Sequence, residues 1–258
     1  MTRILALSLA LTLALTLALS LGQLARHLCG YAAGAAVYEQ AQELAGVAEA
    51  EDVSPAAPAS EEPAETIPDL AALQQVNPDV VGWITLPGTD LSYPLLQGQD
   101  NAYYLSHAWD KTPCAAGAIF RDADSDPSGW HTRIYGHRMN DASMFGTLRR
   151  YRDPQFRAEH PEFLIFTEAE TLRCRIFAAY EAPVTGPVFQ PSPGDPQARA
   201  DFLADCLSQS VFSTGEPPSV ENPVVTLCTC TGHGHGTRWV VMGEVVNDRL
   251  LFCIKVEQ

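Results

Sequence analysis

Positive charge is scarce in this chain. Its 258 residues carry 16 Lys and Arg against 31 Asp and Glu, for a formal net charge of −15 at pH 7. Such a surface repels nucleic-acid phosphates, and no basic cluster offsets it, so nucleic acid is excluded as a partner. No internal repeat is present either, which excludes a repeat architecture. A paired cysteine framework is also missing: the seven cysteines, at 29, 114, 174, 206, 228, 230 and 253, are odd in number and follow no disulfide spacing. Cys174 and Cys206 fall on apolar faces of expected elements, where a free cysteine behaves as a small hydrophobe.

What is present starts with a run of Leu and Ala, ILALSLALTLALTLALSLG at residues 4–22, relieved only by Ser and Thr before its closing Gly. About 20 such residues span a bilayer as helix, whereas a secretory h-region has about 7 to 15. A signal anchor is therefore expected over a cleaved peptide. From Tyr38 to Pro68 the composition turns to Ala, Glu and Pro. Its first part reads as an extension of the membrane helix, and SPAAPASEEP as a tether that cannot bury enough apolar area to fold. The length allows one domain plus attachments. The expected organisation is an anchor and flank at 1–37, an acidic linker at 38–66 and a folded domain at 67–258.

Within that domain Asp69 caps a short helix through Leu73 and Val76 that ends by Asn77-Pro78. GWITLPGTDLSYPLLQ gives two strands around Pro87-Gly88-Thr89-Asp90, and AGAIF and TRIYG read as further strands. EFLIFTEAETLRCRIFAAYEA alternates as a hairpin turning near Glu168 to Glu170. In DPQARADFLADCLSQSV, Phe202, Leu203, Cys206 and Leu207 share one helical face. Many short strands with few helices favour a barrel or a sandwich.

The chemistry concentrates in NPVVTLCTCTGHGHGTRWVVMGEVV, residues 222–246, where two β-branched runs flank a glycine-broken turn. Cys230 sits at the exit of the first run and Arg238 at the entry of the second. A thiol attacks a carbonyl only as thiolate, so it needs a nearby base or cation, and the oxyanion it creates needs a fixed donor. Arg238 suits the donor role. The imidazole comes from upstream, at His137 in RIYGHRMNDASMFG, where a strand gives way to a polar loop.

TLCTC followed by TRWVV, with IYGH upstream, resembles the signature of the sortases, cysteine transpeptidases that fix proteins to Gram-positive cell walls. NPDVVGWITLPGTDLSYPLLQGQDNAYYLSHAWD, AGAIFRDAD and YGHRMNDASMFGTLRRYRDPQF are similar in order to class B, from about Leu73 to Val246. The resemblance implies a mostly β fold, an eight-stranded sortase-type barrel with an N-terminal helix and a helix before the catalytic-Cys strand. It implies Cys230 as nucleophile, with Cys228 where Ser is common, His137 as acid and base, and Arg238 as the group that holds substrate and oxyanion. Thr229 and Thr231 flank the nucleophile as oxyanion or substrate-binding candidates. The implied partners are a sorting-motif-bearing surface protein or pilin, with an NPxT-like motif, and an acceptor amine on a lipid-linked cell-wall precursor or a pilin lysine. No cofactor is expected. The implied location is the cell membrane, single-pass, with a cytoplasmic N terminus and an extracellular catalytic domain. Two departures stand out. Arg138 occupies a place where class B sortases often have Asn, and no acidic residue lies between Cys230 and Arg238.

Two other readings of the same residues remain. Cys228, Cys230, His233 and His235 are ligands of the kind zinc takes, although C-x-C with H-x-H matches neither usual spacing of structural sites. The same thiol and imidazole would also serve a cysteine peptidase that only hydrolyses.

Overall fold

The structure is a computed structural model, and it describes residues 16, 17, 20, 34–47, 66–124, 129–232 and 234–246. Eight strands close into a barrel in the order β1-β2-β3-β4-β7-β8-β6-β5. They are β1 (Val80–Thr85), β2 (Ser92–Leu96), β3 (Ile119–Arg121), β4 (His131–Tyr135), β5 (Glu162–Phe166), β6 (Thr171–Pro183), β7 (Val224–Cys230) and β8 (Thr237–Val246). Closure removes the free edges that an open sheet would expose. The helices are α1 (34–45), α2 (Leu70–Val76), α3 (Pro154–Glu159) and α4 (Pro196–Gln209). The expected strands and hairpin all form, and Thr167 N–H donates to Glu170 O at the hairpin turn. Asp69 caps α2 by accepting from Ala72 N–H at 3.0 Å, and Asn77 ends it.

Pairing along β7 sets up the site. It runs parallel to β4, with Tyr135 beside Cys228, and antiparallel to β8, with Cys230 beside Arg238. Alternation sends Val225 and Leu227 into the barrel core and Val224 and Cys228 to the outer face. There α4 covers them with Phe202, Leu203 and Cys206, so six of the seven residues of β7 are buried. Strands covered on both faces read as continuous apolar runs, which is why VVTLC shows no polar alternation.

Two findings differ from the expected organisation. Helix α1 is amphipathic and docks on the barrel. Tyr38, Ala41 and Ala45 are buried, Tyr38 Oη donates to Gly117 O, and Trp109 Nε1 donates to Val37 O at 2.8 Å. The packed unit therefore reaches back to residue 34, ahead of 67. The second concerns location. The run at 4–22 lies outside the described residues apart from 16, 17 and 20. Among the described residues no helix is long and apolar enough to cross a membrane, since a span needs about 20 apolar residues. The expected placement as a single-pass protein of the cell membrane is corrected accordingly. The SPAAPASEEP stretch, Cys29 and Cys253 also lie outside the described residues.

Candidate active site

The alternation that buries β7 also places the chemistry. On β4, His131, Arg133 and Tyr135 stand beside Val224, Thr226 and Cys228 of β7. Gly136 N–H extends this ladder by donating to Cys228 O at 3.2 Å. His137 follows Gly136 at the end of β4, Cys230 lies two residues past Cys228 on β7, and Arg238 is paired to Cys230 from the other side. The three stand at the ends of three neighbouring strands, with Cys230 and Arg238 directly paired at the spacing of about 4.8 Å usual in a sheet. All three line a cleft of about 210 Å³, with Asn101, Leu105, Phe120, Tyr135 and Cys228 among its walls.

Each of the three side chains is held by identifiable neighbours. His137 Nε2 lies 2.8 Å from the carbonyl oxygen of Leu105. A carbonyl only accepts, so Nε2 carries the proton and Nδ1 is left as the basic nitrogen. The Leu105 carbonyl reaches His137 because Gly117 lets the backbone pass. Gly117 has φ +58, and a Cβ there would lie 2.6 Å from Tyr104 O and 3.0 Å from His137 Cδ2. The loop after His137 folds back on itself, with Phe145 N–H donating to His137 O at 2.9 Å and Met144 N–H donating to Tyr93 Oη at 3.2 Å. Arg238 Nη1 donates to His235 O at 3.0 Å and Thr237 O at 2.9 Å, which lays the guanidinium along its own loop at the cleft.

The two cysteines of β7 differ in environment. Cys228 is 1% exposed, and burial pushes its thiol well above the ordinary range, so it stays protonated. Cys230 is half-buried and opens to the cleft. Cys174 and Cys206 are buried as the sequence implies, with Cys206 pushed up to about 12 by burial. The threonines beside Cys230 are both hydrogen-bonded, and Thr229 lines the cleft. Thr229 Oγ1 donates to Gly136 O at 2.8 Å, so its proton is engaged in pinning the residue before His137. Thr231 Oγ1 lies 3.2 Å from Thr237 Oγ1, which donates to Glu181 at 2.6 Å.

Beneath the cleft lies an ion pair that sequence patterning does not mark. Arg133 Nε donates to Asp122 Oδ2 at 2.6 Å, with both side chains nearly inaccessible. Asp122 also accepts from Asn101 Nδ2 at 2.8 Å and from Tyr135 Oη at 3.2 Å. Burial raises the Asp122 carboxyl, but hydrogen bonds from Asn101 and Arg133 outweigh it and leave the group below its ordinary value. Asn101 and Tyr135 are thus fixed as walls of the cleft.

For a zinc site, Cys228 would have to leave the core and lose its proton, and His233 lies outside the described residues. Among the described residues no group of three or more His, Cys, Asp or Glu is arranged to hold a metal.

No family model matches the chain. A Listeria monocytogenes protein named Sortase B is 34% identical over 182 residues, covering 69% of this chain and 74% of that protein. Among solved structures, sortase B from Bacillus anthracis in complex with AAEK1 is similar with a TM-score of 0.71 and 29% identity, covering 85% of this chain and 99% of that one. The Staphylococcus aureus sortase B-substrate complex is similar with a TM-score of 0.65 and 27% identity, covering 69% of this chain and 84% of that one.

Proposed function

The chain belongs to the class B sortase family of cysteine transpeptidases, and from that premise we propose that Cys230, His137 and Arg238 carry its reaction. One observation supports the assignment above the rest: the three residues, from the ends of three neighbouring strands, line one cleft. In this reading the Cys230 thiolate attacks the carbonyl carbon of a threonine-type residue in a sorting motif. Arg238 and the backbone N–H of Thr231 stabilise the oxyanion. The tetrahedral intermediate collapses, the C–N bond breaks, and imidazolium His137 gives its proton to the departing amine. A thioester remains on Cys230. An acceptor amine then attacks it, loses a proton to His137, and leaves joined to the donor by a new amide as the thiolate is expelled.

Leu105 serves this sequence through its backbone. Its carbonyl holds the imidazole by Nε2, and it accepts from the neutral ring and more strongly from the protonated one. Orientation thus comes from a peptide group, where many triads use a carboxylate. The donor is proposed to be a surface protein or pilin bearing an NPxT-like motif, and the acceptor an amine on a cell-wall precursor or a pilin lysine. The catalytic domain is proposed to be residues 67–258, with α1 docked upon it.

The test is product analysis. The full chain is incubated with peptides carrying NPxT-type and unrelated motifs, with and without an added primary amine. We expect cleavage after the threonine-type residue only in NPxT-type peptides, and an amide product that rises with amine concentration. Cleavage to free acid alone, at a rate indifferent to amine, would favour a hydrolase in place of a transpeptidase.

A further inference from the structure

The two loops that follow His137 and Cys230 are tied together by a residue the mechanism above does not use. Arg138, next to His137 in the chain, turns its guanidinium toward β7, where Nη1 donates to Thr231 O at 3.0 Å. The same group packs flat against Gly232. A Cβ built on Gly232 would lie 2.5 Å from Arg138 Nη2 and 2.7 Å from both Cζ and Nη1, and Gly232 has φ +85. Glycine at 232 therefore does two things: it adopts a backbone conformation that side chains disfavour, and it leaves the space that the guanidinium fills.

We propose that Arg138 is a positioning residue, a strut that holds the loop leaving the nucleophile at a fixed distance from the loop leaving the imidazole. The proposal rests on the catalytic reading of Cys230 and His137 and adds the means by which their separation is set. Parallel pairing of β4 and β7 aligns the two strands only as far as Gly136, whose N–H makes the last bond of that ladder to Cys228 O. The Arg138 bond to Thr231 lies one residue past both reacting groups and so brackets them between two fixed points. It also fixes the residue whose N–H is proposed to face the oxyanion. A hydrogen bond from a charged donor is stronger than a neutral one, and its planar fork is less costly to order than a flexible ammonium. Thr231 is held from its other side through Thr237 to Glu181, so removal of the strut frees one side of the loop and leaves the other tied.

The consequence falls on the rate of acylation and not on capture of the donor peptide. Misplacement of reacting groups by about 1 Å costs on the order of 100-fold. With half of the bracing kept, Arg138→Ala is expected to lower kcat for thioester formation roughly 10-fold, with KM for the donor and the melting temperature little changed. Arg138→Lys keeps a donor for the Thr231 carbonyl but loses the flat contact with Gly232, and should recover part of the rate. Gly232→Ala drives the guanidinium out and strains the backbone at φ +85, so alone it should lower kcat at least as far as Arg138→Ala. Added to Arg138→Ala it has no guanidinium left to displace, so only the cost of a side chain at φ +85 remains, and the double variant should lose less than the product of the two single losses.

The decisive experiment is this double-mutant cycle in the full chain, reading kcat and KM of acylation for the wild type, Arg138→Ala, Arg138→Lys, Gly232→Ala and the double variant. Losses in kcat that fail to multiply, with partial recovery by lysine, support the strut. Wild-type kcat in Arg138→Ala, or losses that multiply in the double variant, overturn it. Absence of acylation in the wild type would instead overturn the catalytic reading on which the strut depends.

Discussion

Cys228 and Cys230 share a strand and a face, yet only one is fit to react. Two residues of offset move a sulfur from a position sealed by α4 and Tyr180, where burial keeps the thiol protonated, to the open end of the same strand. Cys228→Ala should therefore keep most of the acylation rate and cost about 1 kcal/mol of stability for the lost sulfur contacts, measured by urea unfolding. Arg238 tests the other side of the cleft. If it faces the oxyanion, Arg238→Ala should lower kcat for acylation on the order of 100-fold, while a role confined to bracing its own loop would show as lost stability with little change in rate. At this scale residue type is a good guide. A thiol, an imidazole and a guanidinium at strand ends announce chemistry. A backbone carbonyl does not, so Leu105 has no signal in the sequence although it orients His137. Arg138 is visible as a departure from the family pattern, but its reach to Thr231 depends on a fold the sequence does not display.

Among the elements, α4 follows from periodicity, because one face must be covered and its apolar residues repeat accordingly, and the hairpin of β5 and β6 follows from two apolar runs around a polar turn. The 3-10 turn Gly146–Arg152 and the short helix α3 escape that logic, being too short for a period to develop. Helix α1 escapes it for a different reason. Its Ala-rich and Glu-rich composition matches the tether that follows, and only Gly34, Tyr38, Ala41 and Ala45 betray a buried stripe at helical spacing. Tyr38 is the anchor. Its ring meets Tyr93 edge-on at 5.2 Å, and its hydroxyl donates to the carbonyl of Gly117, the residue that lets the Leu105 segment approach His137. Tyr38→Ala should destabilise the fold by about 3 to 5 kcal/mol, the cost usual for losing a buried aromatic ring. Tyr38→Phe should cost about 1 kcal/mol, for the hydrogen bond alone. Equilibrium unfolding in urea distinguishes the two. Equal and negligible losses in both variants would show that α1 contributes nothing to the barrel.

Across the whole molecule, buried titratable groups set how the fold responds to acid. His131 is held at about 3, first by burial and then by the nearby Arg133 cation, although Asp122 works the other way. Above about pH 6.5 the imidazole is neutral in both the folded and unfolded chain and contributes nothing. As pH falls below that value the unfolded chain takes up a proton that the folded chain refuses, so stability declines down to about pH 3. By pH 4 this term amounts to about 3 kcal/mol. Asp122 acts in the same direction at lower pH: its depressed value contributes stability above the ordinary carboxylate range that is lost as pH falls through the folded value. His131→Gln should therefore be less stable than the wild type at pH 7, through altered packing and loss of the bond to Thr226, yet lose less further stability between pH 6.5 and pH 4. A wild-type slope retained in the variant would assign the acid sensitivity elsewhere.

The barrel, its two cores and its buried charges converge on the sulfur at the end of β7, and one measurement addresses that sulfur directly. The full chain is mixed with an NPxT-type peptide without acceptor amine, quenched in acid, and weighed intact before peptide mapping. The expected result is an added mass equal to the peptide up to its threonine-type residue, mapped to Cys230 and absent from Cys230→Ala. An adduct on Cys228, or one that persists in Cys230→Ala, would contradict the assignment of the nucleophile.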